Sequence, residues 1–317
     1  MIPDPARIRA TRRWALGEGM MVGAVAAVIV VALMPTWTGA LSGVAVGAVL
    51  TAAIFRGETR IVRRRLAVMA QPFPVAWEAI LRARIPYYAA LEADERTRFQ
   101  HLVALFLDEK PIHGVGCAID DTVRLLVAAS AIIPVFAFPG WEYTTLRKVL
   151  IRPAAFDAEF RPESAAPGTA AAMALGMVGN SGWFDGVMIL SLPDLLAGFA
   201  EGAGKHHVGI HEFAHLIDRS DGAIDGLPAT LPRACLRPWT TLVHEHLAHR
   251  AGADSGLPAY GYTNEAEFFA VASEYFFQSP AELARRDPPL YALLARVFRQ
   301  DLLARARLMD HGHEPPR

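Results

Sequence analysis

Two stretches near the start of the chain, residues 20–34 (MMVGAVAAVIVVALM) and 39–55 (GALSGVAVGAVLTAAIF), hold no charged side chain. A backbone in hydrocarbon must satisfy its own hydrogen bonds, so a run of this kind can span lipid only as a helix. Each is slightly short of the ~20 residues that cross a bilayer core. Extending the first back to Leu16 adds Glu18 as its one charge. Between the runs, Pro35 breaks the helical pattern and Trp37 suits an interface. Gly39, Gly43 and Gly47 recur at intervals of four, a stripe that lets two helices approach closely. Arg7, Arg9, Arg12 and Arg13 precede the pair, and Arg56, Arg60, Arg63, Arg64 and Arg65 follow it. Positive charge on both outer flanks, with none in the connector, predicts a hairpin whose two ends stay in the cytoplasm. The expected helices run over about 15–34 and 39–55, within an N-terminal segment 1–65. The stretch TRRWAL at 11–16 looks like a twin-arginine export signal. A second apolar run follows at once, however, and no Ala-x-Ala cleavage site closes the first. A soluble, buried hairpin in a cytoplasmic protein is the alternative.

Composition agrees with a membrane segment attached to a globular part. Hydrophobic residues make up 53% of the 317 and the mean hydropathy is +0.24. The net charge of -1 offers no basic field, so direct nucleic-acid contact is not expected. Cys117 and Cys235 are too few and too far apart for a disulfide framework or a Cys-x-x-Cys zinc site. From 66 to about 310, helical periodicity dominates, with Trp77, Ile80, Leu81, Phe99, Leu102, Leu105 and Phe106 at spacings of three and four. The pattern DDTVRLLVAASAIIPVFAF reads as a buried helix stopped at Pro134. LRKVLIRP and FDGVMILS read as strands. Residues 264–283 and 288–308 each read as one long helix, and 311–317 as a tail. The predicted class is α+β, with no internal repeat and no nucleotide-binding glycine loop.

The chemistry lies in GIHEFAHLIDRSDG, from residue 209. His211 and His215 are four apart, on one helix face. Zinc accepts two such imidazoles with a third protein ligand and keeps one position for water. Glu212 is placed to act on that water as general base. The surrounding Ile210, Phe213, Ala214, Leu216 and Ile217 predict a buried helix, where unpaired polar groups need a reason. One zinc per chain is therefore expected.

Spacing leaves the third ligand open. Asp221 stands ten residues after His211, as in metzincins, yet position 218 is Asp218 where that pattern has Gly, and no methionine turn follows. Asp218 shares the histidine face and is expected to orient a ligand or cap a neighbouring element. Glu267 and Glu274, seven apart, share a face of a second helix. Glu267 also fits an N-terminal capping box with Asn264, and Glu274 fits an arginine partner. The stretch VHEHLAHR offers His244, His246 and His249, but the five-residue spacing of 244 and 249 fails for zinc, so a solvated helix is expected. His206 and His207 precede the motif and read as exposed loop residues.

Several segments together resemble the Mlc titration factor A family of bacterial zinc-dependent peptidases: FPVAWEAILRARIPYYAAL, VLIRPAAF, GVMILS, HEFAHLID, Tyr260-Gly261, EFFAVASEYFF and PLYALLARVFRQD. TNEAEFFA is also similar to the equivalent helix of anthrax lethal factor-type gluzincins. The resemblance implies a zincin-like fold with His211, His215 and Glu267 as metal ligands. It implies Tyr260 facing the metal to stabilise an oxyanion, Glu212 as general base, and Glu274 supporting a histidine. Where the family often has Asn before the histidine helix, this chain has His207. The implied partner is a peptide or protein substrate. The hairpin lies outside the resemblance; its hydropathy and flanking charge give the expected location, the bacterial inner membrane with the peptidase domain in the cytoplasm. Binding of a transcriptional repressor of sugar uptake, also described for the family, is the alternative function. A peptide adding to the edge of GVMILS is expected by analogy of fold.

Overall fold

The computed structural model describes residues 5–154, 176–178, 186–248 and 256–311. They fall into two compact units, Met1–Pro72 and Phe73–Arg317.

The first unit is helical: α1 (Pro5–Leu33), α2 (Trp37–Glu58) and α3 (Arg60–Met69). Thr36 caps α2, its hydroxyl accepting the Gly39 N–H at 3.1 Å. Gly39, Gly43 and Gly47 are buried along the seam. A side chain on Gly47 would place its Cβ 2.6 Å from the Gly23 carbonyl oxygen, so glycine is what lets the backbones meet. The Thr51 hydroxyl fixes the crossing by donating to the Gly19 carbonyl at 2.9 Å. Val25, Val28, Ile29, Leu41, Val44 and Val49 face outward and exposed. Both helices are long and apolar enough to cross a membrane. Only 11% and 17% of their most apolar windows are buried. The helices outrun the apolar stretches because the flanking arginines are themselves good helix formers.

The second unit begins with α4 (Val75–Arg84), α5 (Pro86–Ala89) and α6 (Ala93–Glu109). Next come β1 (Ile112–Gly114), α7 (Asp121–Val135), β2 (Lys148–Arg152), β3 (Gly176–Val178) and β4 (Val187–Ser191). Helices α8 (Leu192–Gly198), α9 (Val208–Asp218), α10 (Leu236–Ala248) and α11 (Glu265–Gln278) follow, then α12 (Pro280–Arg286), α13 (Pro288–Phe298) and α14 (Leu302–His311). The α+β reading holds: among the described residues helices dominate, around a four-stranded sheet of order β1-β2-β4-β3. β1, β2 and β4 are parallel, with Val149 beside Met188 and Ile151 beside Leu190. β3 runs antiparallel to β4 at the edge.

Four expectations need correction. β4 is buried throughout and flanked on both sides, so GVMILS presents no free edge; among the described residues β3, which lies against α9, is the outer strand there. Helix α7 runs through Pro134 and ends one residue later, because a proline in the last turn disturbs little that follows. The pattern over 264–283 divides at Pro280, which starts α12. The C-terminal pattern divides at Arg299, whose φ of 52° ends α13 in the left-handed region. The expected tail 311–317 lies outside the described residues apart from His311.

Helix α9 is the centre of this unit. It contacts α7 on one side and α11 on another, and reaches β3 and β4. Phe213, Ala214, Leu216 and Ile217 carry its core face, and Phe213 meets Phe106 and Tyr143 edge-on or tilted. The stripe of apolar residues thus fixes the rotation of α9, and that rotation sets where its histidines point.

Candidate metal centre

His207 starts α9. It is buried, and its Nδ1 accepts the Ile210 N–H at 3.2 Å, as a capping side chain does. His211 and His215 follow on one face, with ring centroids 4.8 Å apart and their Nε2 atoms 3.2 Å apart. A single proton can lie between two such nitrogens, and a shared cation replaces it equally well.

Glu267 comes from α11. Asn264 caps that helix, its Oδ1 accepting the Glu267 N–H at 2.9 Å. The capping expectation is therefore met at the backbone, while the Glu267 carboxylate turns to α9. Its Oε2 lies 3.2 Å from His211 Nε2 and 3.6 Å from His215 Nε2. One donor atom from each of the three residues falls within 4.8 Å of the others. Glu267 Oε2 is buried, where a carboxylate oxygen needs a positively charged or donating neighbour. Two imidazole nitrogens and one carboxylate oxygen form a donor set that zinc accepts. These residues fit a metal ion on that ground.

Charge is arranged to match. Burial alone would raise the Glu267 carboxyl, but hydrogen bonds and charge from His211 and His215 hold it far below the usual range. Burial opposes charge on His211, and Glu274 and Glu267 outweigh it, raising its pKa well above the ordinary value. Glu274 is buried on α11, with Oε1 2.7 Å from His211 Nδ1 and Oε2 accepting the His207 N–H at 2.5 Å. It is thus tied to a histidine rather than to an arginine. This contact favours a proton on Nδ1, so that the Nε2 proton is the one a cation at the centre would displace.

Glu212 is buried beside this group, and burial raises its pKa against the pull of His211 and His215. Tyr260 lies on the short 3-10 turn Ala259–Tyr262, its ring centroid 6.1 Å from that of His211. Burial and the Glu267 carboxylate push its phenol far up. Asp218 is fully buried, and its Oδ2 accepts the Gly226 N–H at 2.9 Å. Burial lifts it to about 6.

The other candidates stand apart. Asp221 is exposed on the turn after α9 and accepts the Ala223 N–H at 3.2 Å. His206 is exposed. His207, expected in the same exposed loop, is buried as the cap; histidine is not among the usual capping residues, so the sequence carries no signal for it. Helix α10 is not simply solvated. His246 is largely covered, pairs with Asp287 at 2.9 Å and lies against Phe268. His249 lies outside the described residues.

A model of the glucose-regulated metallo-peptidase M90 family matches residues 59–299. The chain belongs to the M90 metallo-peptidase family. The match takes in the whole second-unit site and leaves α1 and α2 outside it. Among relatives, Mlc titration factor A of Cronobacter sakazakii is 30% identical over 261 residues, covering 75% of this chain and 90% of the relative. The protein of the same name from an Enterobacter species is 29% identical over 255 residues, covering 73% and 88%. An uncharacterized Synechocystis protein is 30% identical over 244 residues, covering 74% and 87%. The resemblance read from the motifs is thereby established for the M90 domain.

Proposed function

We propose that this chain is a zinc-dependent peptidase anchored by its N-terminal hairpin, with the M90 domain on the cytoplasmic side. The observation that carries the reading is the buried Glu267 Oε2, brought from a second helix to the two Nε2 atoms of His211 and His215. Those three residues would hold the ion, the count that catalytic zinc sites use. Zinc, when bound, supplies polarisation of the scissile carbonyl and acidity to water.

The remaining steps belong to side chains of this protein. Glu212 takes a proton from the attacking water and returns it to the departing amine, a role that a raised carboxyl pKa suits. Tyr260 keeps its proton at neutral pH and donates a hydrogen bond to the carbonyl oxygen as negative charge grows there. Glu274 holds His211 in the tautomer that ligation needs. The outer edge of β3, beside α9, is where an extended peptide would add as a further strand.

A second reading rests on the name Mlc titration factor A, carried by several relatives. In it, the domain binds a transcriptional repressor and cleavage is secondary. One experiment separates the two: hydrolysis of a peptide library by the purified full chain and by its Glu212→Gln variant, with bound zinc measured in both. The peptidase reading predicts a loss of about 10²–10⁴-fold in the variant with zinc retained. A zinc-loaded wild type that cleaves nothing leaves the binding reading in its place.

A further inference from the structure

Gly226 lies in the loop between α9 and α10, and both of its backbone groups are held by buried side chains. Its N–H donates to Asp218 Oδ2 at 2.9 Å, and its carbonyl accepts the Trp239 Nε1–H at 2.7 Å. Asp218 and Trp239 are both 0% exposed. A buried carboxylate three residues after a metal-site histidine costs free energy unless its bond achieves something. Here it fixes a loop. Gly226 has φ +75°, and a side chain there would overlap the Glu265 backbone, its Cβ 2.6 Å from the carbonyl carbon. Glu265 is the first residue of α11, two before Glu267. On the other side of Glu267, Phe268 and Phe269 meet the Trp239 ring edge-on, with centroids 6.3 and 5.9 Å away.

We propose that Asp218, Gly226 and Trp239 form a seat for the first turn of α11, and that this seat sets the distance between Glu267 and His215. The chain of contacts is closed. His215 and Asp218 are on one rigid helix, Asp218 holds Gly226, Gly226 abuts Glu265, and Glu265 and Glu267 share one helical turn. Trp239 closes the far side against Phe268 and Phe269. Asp218 is thus a positioning residue that acts on the opposite ligand, across the centre, rather than on the histidine nearest to it in sequence.

The proposal rests on the metal-centre reading, and two measurements keep the two apart. The first is zinc affinity of the full chain by chelator competition. Trp239→Phe keeps the ring and removes the N–H; Asp218→Ala removes the acceptor; Asp218→Asn keeps one; Gly226→Ala creates the overlap. The expected result is 10–100-fold weaker zinc binding in Trp239→Phe, Asp218→Ala and Gly226→Ala, and a change below about threefold in Asp218→Asn. The second is amide hydrogen exchange of residues 265–269 in the metal-free protein, expected to quicken at least tenfold in the same three variants and not in Asp218→Asn. Trp239→Phe is the mildest change and guards against simple misfolding. Unchanged exchange in folded Trp239→Phe and Asp218→Ala overturns the seat, whatever the zinc result. Absence of zinc from wild type, with the exchange pattern as expected, overturns the metal reading and leaves the seat standing.

Discussion

His207 and Asp218 are buried ionisable residues whose pKa values move in opposite directions. Burial holds His207 down at about 4, against the nearby Glu274 charge, so the fold keeps it neutral. Burial lifts Asp218 to about 6, against the Gly226 N–H. For His207, whose folded pKa is depressed, the stability it contributes is complete above its ordinary 6.5 and is lost as pH falls toward 4. For Asp218, whose folded pKa is raised, stability is complete below its ordinary 3.8 and is lost as pH rises through about 6. The two trends offset in the wild type between pH 4 and 6.5. Replacing one exposes the other. In urea titrations of the metal-free chain, His207→Asn is expected to gain on wild type as pH falls, and Asp218→Asn to gain as pH rises, each by roughly 2–3 kcal/mol. Asparagine serves at both positions, since it caps a helix and accepts a hydrogen bond. Differences that stay flat across this range would refute both assignments. At this scale the spacing of His211 and His215 placed both on one helix face, where their rings lie side by side. The sequence alone misplaced His207 as exposed and was silent on Trp239, since the place of each depends on what lies against it.

Among the elements, long periodic segments were legible and short or interrupted ones were not. Helix α9 and the body of α11 are carried by wide apolar faces. β1 and β3 have three residues each, too few to show an alternation. Arg299 ends α13 in a conformation that glycine usually supplies, so nothing in its identity marks the break. The edge strand was misplaced because a fully buried strand and an edge strand differ in their neighbours, which composition does not reveal. The hairpin of α1 and α2 was legible from charge and small residues alone. Its outward valines and leucines are exposed. Full-length protein expressed in bacteria is expected to stay with the membrane pellet through an alkaline carbonate wash. Release into the supernatant would contradict the spanning reading.

At the scale of the whole molecule, two kinds of chain are joined within 317 residues. One unit owes its form to apolar length and glycine spacing, the other to a sheet and helices built around α9. The M90 match begins at residue 59, so the hairpin is an addition to the part that carries the family likeness. The family could be read from motif order alone, and the pairing of His211 with His215 from their spacing. The choice of Glu267 over Asp221 could not be read from spacing; the family resemblance implied it, and geometry supports it by bringing one helix to another. The most direct measurement is therefore the zinc content of purified full-length protein in detergent, beside its Glu267→Gln variant. The account predicts about one zinc per chain in wild type and clear loss in the variant. Zinc retained in full by Glu267→Gln, or absent from wild type, would contradict it.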